Sequence, residues 1–107
     1  PTCVRVPVFF GHSEAVHVEC WDSISAEEVK ELMMQSPGIA LVDEQADGGY
    51  ATAVSDAAKN DDVFVSRIRE DISCENAINM WVVADNVRKG AALNSVQIAE
   101  ILVQQYI

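Results

Sequence analysis

The sequence predicts an α+β fold: a mixed or antiparallel sheet with helices packed on one face. Three observations carry that expectation. Several segments alternate apolar and polar residues with a period of two, which is the signature of a half-buried strand. A helix start is marked by a capping sequence ahead of a helically spaced apolar set. The last twenty or so residues, roughly 86 to 107, repeat apolar side chains at helical spacing. In chain order the elements read strand, strand, helix, strand, long loop, strand, strand, helix.

The first expected strand is Val4 to Phe10. Val4, Val6, Val8 and Phe10 fall on one face and Cys3, Arg5, Pro7 and Phe9 on the other. Pro7 has no amide hydrogen to give a ladder, which places this strand at an edge or at a bulge. Gly11-His12-Ser13 reads as a turn, and Ala15 to Trp21 as a second strand paired to the first in a hairpin. Its Val16, Val18 and Cys20 should face inward, and His17, Glu19 and Trp21 outward. Ser25-Ala26-Glu27-Glu28 has capping-box spacing; Val29, Leu32 and Met33 follow, and Pro37-Gly38 ends the helix. Ile39 to Val42 is a short buried strand. Residues 43 to 62 form a polar loop with a helical turn over Val54 to Lys59. Val63 to Arg69 is a strand, Asp71 to Glu75 a turn, and Ala77 to Ala84 an apolar, central strand. The final helix is expected to start at Asp85 or Asn86 and run to the C-terminus. Its stripe of Ala92, Val96, Ala99, Val103 and Tyr106, widened by Leu93, Ile98, Ile101 and Leu102, needs cover on more than one side.

Composition narrows the function classes. The 107 residues carry 7 Lys and Arg against 17 Asp and Glu, a formal net charge of -10, which disfavours nucleic acid and anionic membrane as partners. No apolar run approaches the roughly 20 residues of a membrane span. Cys3, Cys20 and Cys74 are an odd, scattered set without a C-x-x-C pair, which points to a reducing, cytoplasmic setting and to no metal-ligand cluster. Half the residues are hydrophobic, enough for one compact domain.

The chemistry-bearing candidates are Arg5 and His12. An imidazole beside a glycine at a strand end can act as acid or base near neutral pH, and a guanidinium can grip a carboxylate with two parallel hydrogen bonds. On spacing alone the same pair also fits an edge-strand charge and an exposed turn residue. Cys3, close to Arg5, invites a nucleophile reading, yet Cys3 and Cys20 equally suit strand positions in or near a core. Asn86 reads as a helix cap.

Three segments, "RVPVFFGHSE" from Arg5, "DVFVSRIRED" from Asp62 and "WVVADNVRKGAALNSVQIAE" from Trp81, together resemble the C-terminal part of aspartate-semialdehyde dehydrogenase. The resemblance covers essentially the whole chain. It implies an enzyme of aspartate-family amino-acid biosynthesis that reduces L-aspartyl-4-phosphate to L-aspartate-4-semialdehyde with NADPH, through a thioester on a cysteine. By the resemblance His12 is the catalytic acid/base, Arg5 binds the substrate carboxylate, and Asn86 contacts the nicotinamide of NADP. It further implies residues 1–85 as the end of the catalytic and dimerisation domain, 86–107 as a final helix returning to an NADP-binding domain, and a homodimer or homotetramer. The family's nucleophile segment, its dinucleotide loop and its phosphate-holding basic residues are not in these 107 residues, and neither Cys3, Cys20 nor Cys74 has the nucleophile's context. The chain alone is therefore expected to be inactive. "YATAV" from Tyr50 departs from relatives that have prolines there. The competing expectation is a stand-alone, non-catalytic binding or oligomerisation module derived from that family.

Overall fold

The computed structural model describes all 107 residues. It has four strands and two helices: β1 (His12–Glu19), α1 (Ala26–Gln35), β2 (Ile39–Leu41), β3 (Val63–Glu70), β4 (Ala77–Ala84) and α2 (Leu93–Gln105). The strands form one mixed sheet in the order β1-β4-β3-β2. β4 pairs antiparallel with both β1 and β3, while β2 runs parallel to β3. The α+β class and the central place of β4 agree with the sequence.

Each face of the sheet is covered by a different piece of chain. On one face α1 lays Val29 against Val65, Ile68 and Ile78. On the other, the 43–62 loop folds back so that Ala51 and Ala57 pack on Phe64 and Val83. Two hydrogen bonds fasten the loop there: the Ala51 amide donates to Ser66 Oγ at 3.1 Å, and Trp81 Nε1 donates to the Ala51 carbonyl at 3.1 Å. The expected helical turn in this loop is present as a single π-type turn over Ala53–Ala57, capped by Thr52.

α1 begins where the capping sequence places it. The Glu28 amide donates to Ser25 Oγ at 3.3 Å, and the Ser25 amide donates back to Glu28 Oε2 at 2.8 Å. The Ser25 amide, and after it the Ser25 hydroxyl, which also donates to Glu28 Oε2 at 2.7 Å, hold the Glu28 carboxyl below its ordinary value.

The structure corrects the N-terminus. Pro1 to Phe10 is not a strand and there is no hairpin across Gly11-His12-Ser13; the chain is irregular and exposed, and β1 starts at His12. Around Pro7 the Val8 amide donates to the Val6 carbonyl at 2.9 Å, a three-residue turn that uses up the groups a ladder would need. The partner of β1 is β4, with His12 opposite Ala84 and Glu19 opposite Ala77. As an edge strand with no helix beneath it, β1 half-buries Val16, while Val18 stays exposed; the expected inward set holds only for Val16 and Cys20.

The last helix is also corrected. It does not start at Asp85 or Asn86 but at Leu93, because Lys89, Gly90 and Ala91 leave helical geometry and Gly90 takes a φ of 83°. Asn94 Oδ1 accepts the Gly90 amide at 3.1 Å, tying the turn to the new helix start. No residue of α2 is buried, so its apolar stripe lies uncovered within this chain. No helix is long and apolar enough to cross a membrane.

Asp85 organises the exit from β4. It is 3% exposed, and its carboxylate accepts the Lys59 amide at 2.8 Å and the Val87 amide at 2.9 Å. Those bonds, that to Lys59 first, lower its carboxyl pKa. A carboxyl lowered on folding stabilises the native state fully above its unfolded value of about 3.9, and that contribution fades as the pH falls through the folded value. Asp85→Asn should therefore unfold more easily at pH 7 and lose less further stability in acid, measured as unfolding midpoints against pH. Parallel pH profiles for the two proteins would refute this role.

Candidate active site

His12 is the first residue of β1, and the glycine before it is tightly placed. Gly11 has a φ of 86°, and a Cβ there would stand 3.0 Å from Ala53 Cβ and 3.1 Å from the Ala84 carbonyl oxygen. The Gly11 amide donates to Asn86 Oδ1 at 3.1 Å. Asn86 therefore holds the backbone immediately before His12, and 75 residues of sequence separate these neighbours. Asn86 is exposed as a residue.

His12 itself is accessible. Its Nε2 lies 3.5 Å from Glu14 Oε1, two residues along the same face, and the two side chains are 47% and 54% exposed. Arg5 is exposed on the irregular N-terminal segment and forms no ion pair with any carboxylate of the chain. The structure thus brings His12 and Asn86 together through Gly11, and leaves Arg5 on an irregular segment that makes no hydrogen bond to the sheet.

A concavity lies elsewhere, between the 19–24 connection and α1, and is lined by Cys20, Trp21, Glu31 and Leu32 among others. His12, Arg5 and Asn86 are all exposed, as are Phe9 and Phe10, which precede Gly11 in the chain. An exposed imidazole and an exposed guanidinium can serve as an acid/base and as a grip on an anion.

All three cysteines are free thiols. Cys74, in the turn between β3 and β4, is a poor nucleophile: desolvation first, then the charges of Glu19, Asp71 and Glu75, push its thiol pKa up. Sequence reasoning missed Gly11 as the joint between His12 and Asn86. It also missed a polar network at the far end of β1, where His17 Nδ1 meets Asn79 Oδ1 at 3.1 Å and Asp71 Oδ2 at 3.4 Å. Both depend on the β1–β4 register, which no local pattern contains.

An α+β layer with a bare sheet edge and an uncovered apolar helix belongs to the class of domains that offer apolar surface for packing against other protein. The semialdehyde dehydrogenase dimerisation domain model matches residues 1–89, and the chain belongs to that family. Over 106 residues it is 56% identical to an aspartate-semialdehyde dehydrogenase of a Shewanella strain and 58% identical to aspartate-semialdehyde dehydrogenase 2 of Vibrio cholerae, covering 99% of this chain in each case. The chain spans only 31% of the length of either relative. A crystal structure of aspartate semialdehyde dehydrogenase II from Vibrio cholerae, complexed with ASA, superposes over all of this chain and 31% of its own with a TM-score of 0.92 at 56% identity. A probable aspartate-semialdehyde dehydrogenase from Pseudomonas aeruginosa matches 94% of this chain and 29% of its own, with a TM-score of 0.83 at 39% identity.

Proposed function

We propose that the protein carrying this chain is an NADP-dependent aspartate-semialdehyde dehydrogenase acting in the cytoplasm, converting L-aspartyl-4-phosphate to L-aspartate-4-semialdehyde and phosphate. These residues would form its dimerisation portion and one margin of its active site. The observation that carries the reading is the match of the whole chain, in sequence and in fold, to enzymes of that name, with Arg5 and His12 seven residues apart in the sequence so matched.

In this reading His12 takes the proton of a cysteine thiol supplied by the rest of the protein. The thiolate attacks the acyl-phosphate carbonyl, the carbon–oxygen bond to phosphate breaks, and a thioester remains. NADPH, when bound, supplies the hydride that reduces this thioester. His12 then gives a proton to the oxyanion that forms, and recovers one as carbon and sulfur part to release the aldehyde. Arg5 grips the substrate's α-carboxylate through two parallel hydrogen bonds. Asn86 fits one part of a nicotinamide contact: its oxygen is engaged by Gly11, and its amide hydrogens remain to donate to a carboxamide oxygen. In this reading the phosphates and adenine are held by the remaining, N-terminal part of the protein.

Residues 1–85 are the end of the catalytic domain in this account. Residues 86–107 lead back to the nucleotide-binding part, which covers the Val96, Val103 and Tyr106 stripe of α2. Two or four copies assemble through the dimerisation portion. The chain by itself would be inactive, for want of an activated thiol. The full-length protein should reduce NADP when given aspartate semialdehyde and phosphate together, and the isolated chain should not. Arg5→Lys, which keeps the charge but not the planar fork, should raise KM for the semialdehyde about 10–100-fold with a much smaller change in kcat. An unchanged KM would remove Arg5 from the substrate site.

A further inference from the structure

At the end of β1 remote from His12, one ligand atom each from His17, Glu19 and Cys74 lies within 4.8 Å of the others. His17 and Glu19 share the sheet face opposite α1, and Cys74 reaches them from the β3–β4 turn. His12 sits roughly 20 Å away along the strand, at about 3.4 Å per residue. The cluster is therefore separate from the proposed active site.

The hydrogen bonds around His17 fix which of its nitrogens is available. Asn79 Nδ2 donates to Asp71 Oδ2 at 2.6 Å, so the oxygen of the same amide faces His17 Nδ1 at 3.1 Å and must accept from it. Asp71 Oδ2, 3.4 Å from the same nitrogen, favours the same arrangement. Asp71 in turn accepts from the Ser73 hydroxyl and amide and the Cys74 amide, which hold its carboxyl well below the ordinary range. With the hydrogen on Nδ1, the neutral ring carries its lone pair on Nε2. That atom lies 3.5 Å from Glu19 Oε1. An imidazole oriented through its other nitrogen by an amide and a carboxylate is the arrangement that supports metal-ligating histidines.

We propose that His17 Nε2, Glu19 and Cys74 form a binding site for a Zn²⁺-class ion, with Asn79 and Asp71 positioning the histidine. One nitrogen, one sulfur and one carboxylate oxygen suit a borderline-soft transition ion better than calcium or magnesium. Bonds of about 2.0–2.3 Å put tetrahedral ligand atoms about 3.3–3.8 Å apart, so the 3.5 Å between His17 and Glu19 already fits. The pairs that include Cys74 lie within 4.8 Å, and rotation of the Cys74 and Glu19 side chains by about 1 Å brings them to the same spacing. The ion displaces the thiol proton of Cys74, and the thiolate and Glu19 carboxylate neutralise its two charges. A fourth position stays open to water or to a further ligand.

The test is a titration of the full-length protein with Co²⁺, a spectroscopic stand-in for Zn²⁺, followed by displacement with Zn²⁺. One equivalent should bind with a near-ultraviolet thiolate-to-cobalt band and visible tetrahedral absorption. Cys74→Ser should abolish that band, and Glu19→Gln or His17→Ala should weaken uptake at least tenfold. Asn79→Ala, which touches no metal, should weaken it about 10–100-fold. Circular dichroism checks that each variant is folded, and the exposed Glu19 is replaced without disturbing any core contact. A band that survives intact in Cys74→Ser would assign the metal to another cysteine and overturn the proposal. So would unchanged affinity in folded Glu19→Gln and His17→Ala.

Discussion

Replacing His12 by Ala in the full-length protein is expected to lower turnover by about 10²–10⁴-fold, the range for a lost acid/base. The fold gives little reason for any other effect. His12 is a half-exposed side chain at the start of an edge strand, and its nearest charged neighbour, Glu14, is 3.5 Å away and also half exposed. Removing the imidazole opens no cavity and strands no buried polar group, so the thermal unfolding midpoint should barely move. The rate loss should therefore appear in kcat at saturating semialdehyde and phosphate. Wild-type kcat in a folded His12→Ala protein would take the acid/base role away from this residue.

Gly11→Val is expected to destabilise the protein by about 2–5 kcal/mol, combining roughly 1–2 for a left-handed backbone and roughly 1–3 for overpacking. The new side chain would meet Ala53 Cβ at 3.0 Å and the Ala84 carbonyl at 3.1 Å, neither of which can yield without moving the loop or β4. Gly48 provides the control. Its φ of 77° imposes the same backbone strain, but nothing lies within 4 Å of its would-be Cβ, so Gly48→Val should show only the smaller share. Because Gly11 joins His12 to Asn86, its replacement should also depress activity in the fraction that stays folded. Equal unfolding midpoints for the two variants would mean that the close approach at Gly11 carries no cost.

Elements governed by local signals were legible in the sequence. The Ser25–Glu28 box marks the start of α1, the period-two run marks β3, and the scarcity of polar residues over Ala77 to Ala84 marks the central strand, β4. The N-terminal segment was misread because alternation shows which residues suit burial without showing what buries them. Val4 and Val6 alternate well, yet β1 already occupies the side of β4 not taken by β3, and both valines remain exposed. The glycine turn suggested a hairpin, whereas the true partner of His12 lies 72 residues on, at Ala84. The start of α2 was set too early for a related reason: Asp85 and Asn86 look like helix caps, but Asp85 caps the preceding turn and Gly90 leaves helical geometry before Leu93. Arg5 and His12 were singled out by residue type and spacing. The tie from Asn86 to Gly11 and the His17–Asn79–Asp71 network could be found only once the β1–β4 register was known.

The central claim is that this margin of protein serves acyl transfer through a cysteine thioester, with His12 managing the proton. It is tested most directly by the intact mass of the full-length protein after mixing with aspartate semialdehyde and NADP in the absence of phosphate. Without phosphate the acyl group has no acceptor to carry it off, so the protein should gain the mass of one aspartyl group and lose it again when phosphate is added. His12→Ala should gain it far more slowly. A protein that reduces NADP under these conditions without ever carrying the adduct, or that acquires it equally fast without His12, would contradict the account.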